Sequence, residues 1–162
     1  MTILSTAAAT ENGHALECLL ATGKVDVDSR DNAGQTPFSR AAERGYGDVL
    51  EALMATGKVD INSRDNSGMT PFHWAVQRGQ AGLVELLLAT GKVDMDLRDD
   101  SGKTPLRVAV EWAEDEAHDA VIQLLRNASD DDADRTLLVS APAAKQEVAV
   151  DILPVSGTAD RI

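Results

Sequence analysis

Apolar side chains form short blocks that recur along the chain. In AGLVELLLAT, residues 81–90, leucine and valine occupy most sides of a helix, and such a helix must be buried on more than one side. A shorter apolar block, PFHWAV at 71–76, precedes it, and Gly79 separates the two. A polar stretch follows in which apolar residues alternate from Val93 to Leu97, as in a short extended arm. The pattern predicts a unit of helix, turn, helix and extended loop.

This unit recurs every 34 residues. Two motifs mark the period: Gly-Lys-Val-Asp begins at Gly23, Gly57 and Gly91, and Thr-Pro begins at Thr36, Thr70 and Thr104. A fixed period of this size indicates stacked structural units. The threonine of Thr-Pro can cap the first helix, and its proline suits the first helical position. The glycine of Gly-Lys-Val-Asp ends the second helix. Because two short helices cannot bury the leucine-rich surface alone, neighbouring units must cover it.

The period divides the chain into an array and a tail. We place the array at residues 1–126, with units at about 1–22, 23–56, 57–90 and 91–126. The first unit is truncated: it shows only the second-helix motif, and we expect Ile3 and Leu4 to serve as a cap. In the last unit a Leu-Leu pair comes 37 residues after its equivalent, which indicates three inserted residues within Ala113–His118.

Residues 127–162 depart from the period and open with the acidic run NASDDDAD. We expect this tail to be mostly disordered. The alternative is that residues 136–141 and 147–155, which contain alternating apolar positions, form two strands that fold back over the last unit.

The Thr-Pro motif resembles a known signature. TPFHWA at 70–75 is similar to the ankyrin-repeat pattern T-P-L-H-x-A, and TPFSRA and TPLRVA are weaker copies at 36–41 and 104–109. The resemblance implies an all-α fold, an ankyrin-repeat solenoid of stacked helix-turn-helix units joined by β-hairpin-like loops. It also implies that His73 bonds Thr70. The wording ATGKVD further resembles ankyrin arrays of filamentous fungi.

In the ankyrin family the partner usually lies on the concave face made by the first helices and the arms. Carried to this chain, the resemblance implies partner-binding residues at Gln35, Glu43, Arg44, Met69, Gln77, Arg78, Lys103, Glu111 and Trp112. The same face includes the arm residues Asn32, Ala33, Asn66, Ser67, Asp100 and Ser101.

Trp112 stands out in this set. The equivalent positions of the two preceding units hold Arg44 and Arg78, so the core does not require a large ring there. Tryptophan is enriched among the residues that dominate binding at interfaces, which favours a role in partner contact. The alternative is that the insertion at 113–118 folds over the ring and makes it part of local packing.

Charge and composition narrow the classes of partner. The chain has 162 residues, enough for one domain with a core, and a net charge of −12. This charge disfavours nucleic acid, whose phosphates require cationic side chains, and favours a protein partner with a basic surface. No apolar stretch is long enough to span a membrane, and the N-terminus lacks the features of a signal peptide. We therefore expect an intracellular protein, in the cytoplasm or the nucleus, that is monomeric.

No motif indicates a cofactor, a metal or catalysis. The Gly-Lys pairs lack the Ser or Thr that follows lysine in a phosphate-binding loop, and His14, His73 and His118 have no partner at metal-ligand spacing. The single cysteine, Cys18, cannot form an internal disulfide, and we expect it to be a small buried side chain.

The sequence therefore predicts a non-catalytic interaction module: an adaptor, scaffold or inhibitor that binds a protein on the concave face. The alternative is a structural fragment of a larger ankyrin array, for example from a nucleotide-binding receptor-like protein, with no partner of its own. Exposed apolar surface at the N-terminal end would favour the fragment.

Overall fold

The computed structural model describes residues 3–10, 13–113 and 116–128, and these residues form eight helices. The helices are α1 Ile3–Ala8, α2 Gly13–Ala21, α3 Pro37–Arg44, α4 Gly47–Ala55, α5 Pro71–Gln77, α6 Ala81–Ala89, α7 Pro105–Glu111 and α8 Glu116–Ala128. The described residues contain no β-strand, and the arms between helix pairs consist of turns and extended backbone. The all-α fold expected from the repeats is confirmed.

The Thr-Pro motif begins three of the helices in the same way. Thr36, Thr70 and Thr104 cap α3, α5 and α7: each side chain accepts a hydrogen bond from the amide three residues later, and proline takes the next position. A threonine cap satisfies a backbone donor that the first helical turn leaves free. The sequence motif therefore fixes where the first helix of each of these repeats starts.

The helices stack in two layers. The first helices form one layer, in which α1 packs on α3, α3 on α5 and α5 on α7. The second helices pack behind them, α2 on α4 and α6 on α8. The core lies between the layers, where Leu50, Leu53, Leu87 and Phe38 are fully buried. Burial of Leu87 agrees with the register that the sequence pattern predicts for the second helix.

The first repeat contains both helices, which corrects the expectation that Ile3 and Leu4 only cap a lone second helix. α1 is in phase with the later repeats: Leu4 stands 34 residues before Phe38, and both are fully buried. The motif was hidden because Ile3 occupies the position that proline holds in the other repeats.

The insertion in the last repeat is four residues long, not three. Val121, Ile122 and Leu125 of α8 have the burial pattern of Leu83, Val84 and Leu87, which lie 38 residues earlier. Hydrogen bonds give the same register. Gln80 Nε2 donates to Glu43 O at 3.3 Å, and His118 Nε2 donates to Gln77 O at 3.0 Å.

Cys18 is exposed, so the expectation of a small buried side chain is wrong. The equivalent positions hold Ala52 and Leu86, which are partly buried because their helices lie inside the stack. α2 belongs to the first repeat, so fewer neighbours cover this side of it. The C-terminal tail, for which we weighed disorder against two strands, lies outside the described residues from position 129 onward.

Candidate partner-binding face

The tips of the arms are tied to one another across repeats. Asn66 N donates to Ala33 O and Asp100 N donates to Ser67 O, each at 3.0 Å. Glycine is required at this contact: Gly34 has a positive φ of 74°, and a Cβ there would lie 2.8 Å from Asn66 N. Side chains add to the link, since Arg64 Nη2 donates to Arg98 O at 2.7 Å. The arms therefore form one continuous edge.

Each arm tip is closed by an aspartate. Its Oδ1 accepts hydrogen bonds from two backbone amides, which lie two and four residues further along the chain. The pairs are Asp31 with Ala33 and Gln35, Asp65 with Ser67 and Met69, and Asp99 with Ser101 and Lys103, at 2.8–3.0 Å. These bonds fix the backbone of each arm tip.

In two repeats, Oδ2 of this aspartate accepts a hydrogen bond from a side chain of the first helix, which joins the arm to that helix. Arg40 Nη2 lies 2.7 Å from Asp31 Oδ2, and Trp74 Nε1 donates to Asp65 Oδ2 at 2.9 Å. Burial alone raises the pKa of Asp31, but the hydrogen bonds from Arg40 and from the backbone outweigh it and hold the pKa below its ordinary value. The sequence pattern placed Trp74 in the apolar block and did not assign Arg40. The sequence feature that could have indicated these bonds is the constant spacing of nine residues between the aspartate and its donor.

We call the surface formed by the arm tips (32–35, 66–69 and 100–103) and the ends of the first helices (43–44, 77–78 and 111–112) the arm-side face. Ion pairs show that both parts lie on one side of the molecule. Arg40 connects Asp31 to Glu43, and Lys103 Nζ lies 2.6 Å from Glu111 Oε2. Most residues assigned to a concave face from the sequence are therefore brought together.

Exposure separates these residues into three groups. Exposed are Arg44, Arg78, Glu111, Trp112 and the arm residues Asn32, Ala33, Asn66, Ser67, Asp100 and Ser101. Partly buried are Glu43, Met69, Gln77 and Lys103. Gln35 is only 3% exposed, which corrects its assignment to the contact set. Its backbone closes the arm against Asp31, and its side chain is enclosed instead of presented.

The exposed residues at the ends of the first helices differ in whether they form ion pairs. Arg78 pairs with Glu43 at 3.1 Å, and Glu111 pairs with Lys103. Arg44 forms no ion pair with any described residue. The Trp112 side chain is half exposed, at 50%, so the described part of the chain does not bury the ring. Residues 114–115 of the insertion lie outside the described residues, and partner contact by Trp112 stays a prediction.

His73 has a structural role. It is fully buried, lies 2.8 Å from Thr70 Oγ1 as the resemblance implied, and its Nε2 donates to Lys103 O at 3.2 Å. Burial lowers the pKa of His73 below its ordinary value, which keeps the ring neutral. His73 therefore ties one repeat to the arm of the next. His118 is also buried, and no metal-binding group of His, Cys, Asp or Glu occurs within the described residues.

The charge of the arm-side face and its adjoining arms is close to balanced. Seven basic side chains lie there, Arg30, Arg40, Arg44, Arg64, Arg78, Arg98 and Lys103, with six acidic ones, Asp31, Glu43, Asp65, Asp99, Asp100 and Glu111. Arg40, Arg64, Arg78 and Lys103 form ion pairs with Asp31, Glu43, Asp100 and Glu111. Other acidic residues lie at the bases of the arms and on the second helices, among them Asp26, Asp60, Asp94, Glu51 and Glu85. The negative charge is therefore not concentrated on this face.

Comparison with known proteins supports the same repeat assignment. A family model described as ankyrin repeats (3 copies) matches residues 1–65 and 40–136. No curated protein matches the chain. No helix within 3–10, 13–113 or 116–128 is long and apolar enough to cross a membrane. Ankyrin repeats are generally protein–protein interaction modules. With its period, capped helices and stacked layers, and with the family model covering most of its length, the chain belongs to the ankyrin-repeat family.

Proposed function

We propose that this protein is a non-catalytic adaptor, scaffold or inhibitor that binds a protein partner on the arm-side face. One observation carries the proposal: Arg44, Arg78 and Trp112 occupy the same position in three successive repeats, and all three are exposed. The core does not need them, because residues as different as arginine and tryptophan fit there. Arginine and tryptophan are also the side chains most often found as energetic anchors in interfaces.

The charge distribution refines the kind of partner. Exposed anchors of the arm-side face are cationic or aromatic, and its carboxylates are largely used in internal pairs. The acidic surplus at the arm bases attracts a basic partner over distance but lies away from the anchors. We propose that a basic surface speeds the encounter, while specific contacts form on the arm-side face.

The fragment hypothesis has one observation in its favour. Ile3 is 76% exposed, whereas the prolines at the equivalent positions, Pro37, Pro71 and Pro105, are buried. A preceding repeat would cover Ile3. The other exposed positions on α1 and α2 are the polar Thr6, His14 and Glu17 and the small Cys18 and Ala21, so Ile3 is the one large apolar side chain exposed on these two helices. A single exposed isoleucine is weaker support than three aligned anchors.

Affinity capture with matched variants tests the proposal. The chain is used to isolate a partner, which is then purified and titrated against the Arg44→Ala, Trp112→Ala and Glu85→Ala variants. Glu85 is exposed on α6 and serves as the control. We expect the first two variants to weaken binding and Glu85→Ala to leave it unchanged. Equal binding by all variants would contradict the proposed face.

A further inference from the structure

The last repeat keeps the arm aspartate but lacks the donor that serves it in the two preceding repeats. Arg40 Nε donates to Asp31 Oδ2 at 2.8 Å, and Trp74 Nε1 donates to Asp65 Oδ2 at 2.9 Å. Val108 occupies the equivalent position of α7, and its side chain has no polar atom. The repeat period therefore identifies a place where a donor is expected and the chain does not provide one.

Asp99 is nevertheless held in the same way as the other two aspartates. Its Oδ1 accepts the amides of Ser101 and Lys103, both at 2.8 Å. Among the described residues no hydrogen-bond donor or cation is assigned to Oδ2. One oxygen of a carboxylate fixed by the arm therefore remains able to accept from outside. Asp99 is partly buried, which strengthens a charged contact made there.

An aromatic ring lies one helical turn from the missing donor. Trp112 N donates to Val108 O at 3.1 Å, so Trp112 follows Val108 on the helix, and its side chain is 50% exposed. A planar guanidinium can bond a carboxylate and stack on an aromatic face, which an ammonium does less well. In the earlier repeats the aspartate accepts from a guanidinium or an indole, and both are planar N–H donors.

We infer that Asp99 receives an arginine side chain from the protein partner, in the place that Arg40 occupies within the second repeat. Trp112 supplies an adjoining flat surface for the guanidinium or its stem. This inference rests on the proposed function and specifies one contact of that interface. It differs from a general preference for basic partners, because it names one carboxylate oxygen and one donor type.

A small probe tests the site without a known partner. N-acetyl-arginine amide is titrated into the ¹⁵N-labelled chain, and the amides of Ser101 and Lys103 and the indole of Trp112 are followed by NMR. We expect saturable shifts at these groups, with N-acetyl-lysine amide binding several-fold more weakly. Absence of saturable shifts, or equal binding of both probes, would overturn the inference.

Three variants locate the contact. Asp99→Asn keeps an oxygen for the two arm amides and removes the charge, so the fold is preserved and affinity for the arginine probe falls about tenfold. Asp96→Asn removes the same charge from an exposed residue of the same arm, outside the arm-side face, and is expected to bind normally. Val108→Arg introduces an internal donor of the kind that Arg40 supplies. Val108 is only 3% exposed, so the variant is compared only when it is folded, and it is then expected to block the probe. Thermal unfolding of each variant confirms that it is folded, and normal probe binding by Asp99→Asn would overturn the inference.

The same variants separate this inference from the proposed function once a partner is purified. Loss of partner binding in both Asp99→Asn and Arg44→Ala supports both proposals. If Asp99→Asn binds the partner normally while Arg44→Ala does not, the arginine contact is wrong and the arm-side face stands. If both bind normally, the face itself is wrong.

Discussion

Arg78 Nη2 lies 3.1 Å from Glu43 Oε1, an ion pair that joins the ends of α3 and α5. Arg40 reaches the other oxygen of Glu43 at 3.3 Å, and the glutamate side chain is only 14% exposed. Ion pairs at the surface add little to stability, so the main effect of this network is to orient its side chains. Arg78 is thereby fixed on the arm-side face, while Arg44 keeps an uncompensated charge beside it.

Stability is expected to depend on the buried leucines of the second helices. Leu87 is fully buried in α6, and Leu87→Ala removes apolar contacts and leaves a cavity. We expect a loss of about 2–5 kcal/mol in the free energy of unfolding, measured by chemical or thermal denaturation. Glu85→Ala on the exposed side of the same helix is the control. A loss below about 1 kcal/mol for Leu87→Ala would mean that the site collapses around the smaller side chain.

Asp28 is expected to destabilise the folded state when it is ionised. It accepts the amide of Asp60 at 3.2 Å, and the equivalent Asn62 accepts the amide of Asp94 and also donates to Lys92 O at 2.9 Å. Burial raises the pKa of Asp28 above 3.8, and the charges of Asp60 and Asp26 raise it further, against a lowering from the Asp60 amide. An asparagine at position 28 would still accept the hydrogen bond from the Asp60 amide and would carry no charge.

The sign of the effect with pH follows from the raised pKa. A carboxyl with a higher pKa in the folded state stabilises that state below its unfolded pKa, and this contribution is lost as pH rises through the folded pKa. We therefore expect Asp28→Asn to be more stable than the parent near pH 7, with the difference shrinking as pH falls towards 3.8. Unfolding curves across this range measure it. Asn62→Asp should show the reverse, and no gain for Asp28→Asn at pH 7 would refute the assignment.

Trp112→Ala separates partner contact from packing. If the half-exposed ring is an interface anchor, the substitution weakens partner binding by about 2 kcal/mol or more and leaves the melting temperature nearly unchanged. Calorimetric titration and thermal melting of one preparation give both values. A large drop in melting temperature with unchanged affinity would assign the ring to local packing.

Nucleic-acid binding is expected to be absent. The net charge is −12, which repels phosphates, and Arg40, Arg78 and Lys103 near the arm-side face already pair with carboxylates. In a gel-shift assay at physiological salt we expect no complex with duplex DNA. A salt-resistant complex would contradict this expectation.

The sequence predicted the elements that depend on local motifs. Thr70, Pro71 and the leucines of α6 specify a capped helix and a buried helix through chemistry that acts within a few residues. α1 was missed because Ile3 replaces the proline that marks the other first helices. The insertion was misjudged by one residue because adjacent leucines, such as Leu124 and Leu125, look alike although only the second is fully buried.

The face was harder to predict than the fold. Repeat position alone assigned Gln35 to the surface, but its side chain is enclosed, since side-chain direction in an arm depends on the turn geometry. The bonds from Arg40 and Trp74 to arm aspartates were missed because they join residues nine apart, outside helical or strand spacing. Asp99 is the arm aspartate whose repeat has valine, at Val108, where the other two repeats have the donor.

Site-specific photo-crosslinking tests directly whether the partner lies on the arm-side face. A photoreactive amino acid is placed at position 44, on this face, or at position 51, exposed on α4, and each chain is irradiated with the purified partner. Neither position forms an ion pair with a described residue, so the fold should tolerate both changes. We expect a crosslinked complex from position 44 and none from position 51. Crosslinking from position 51 alone would contradict it.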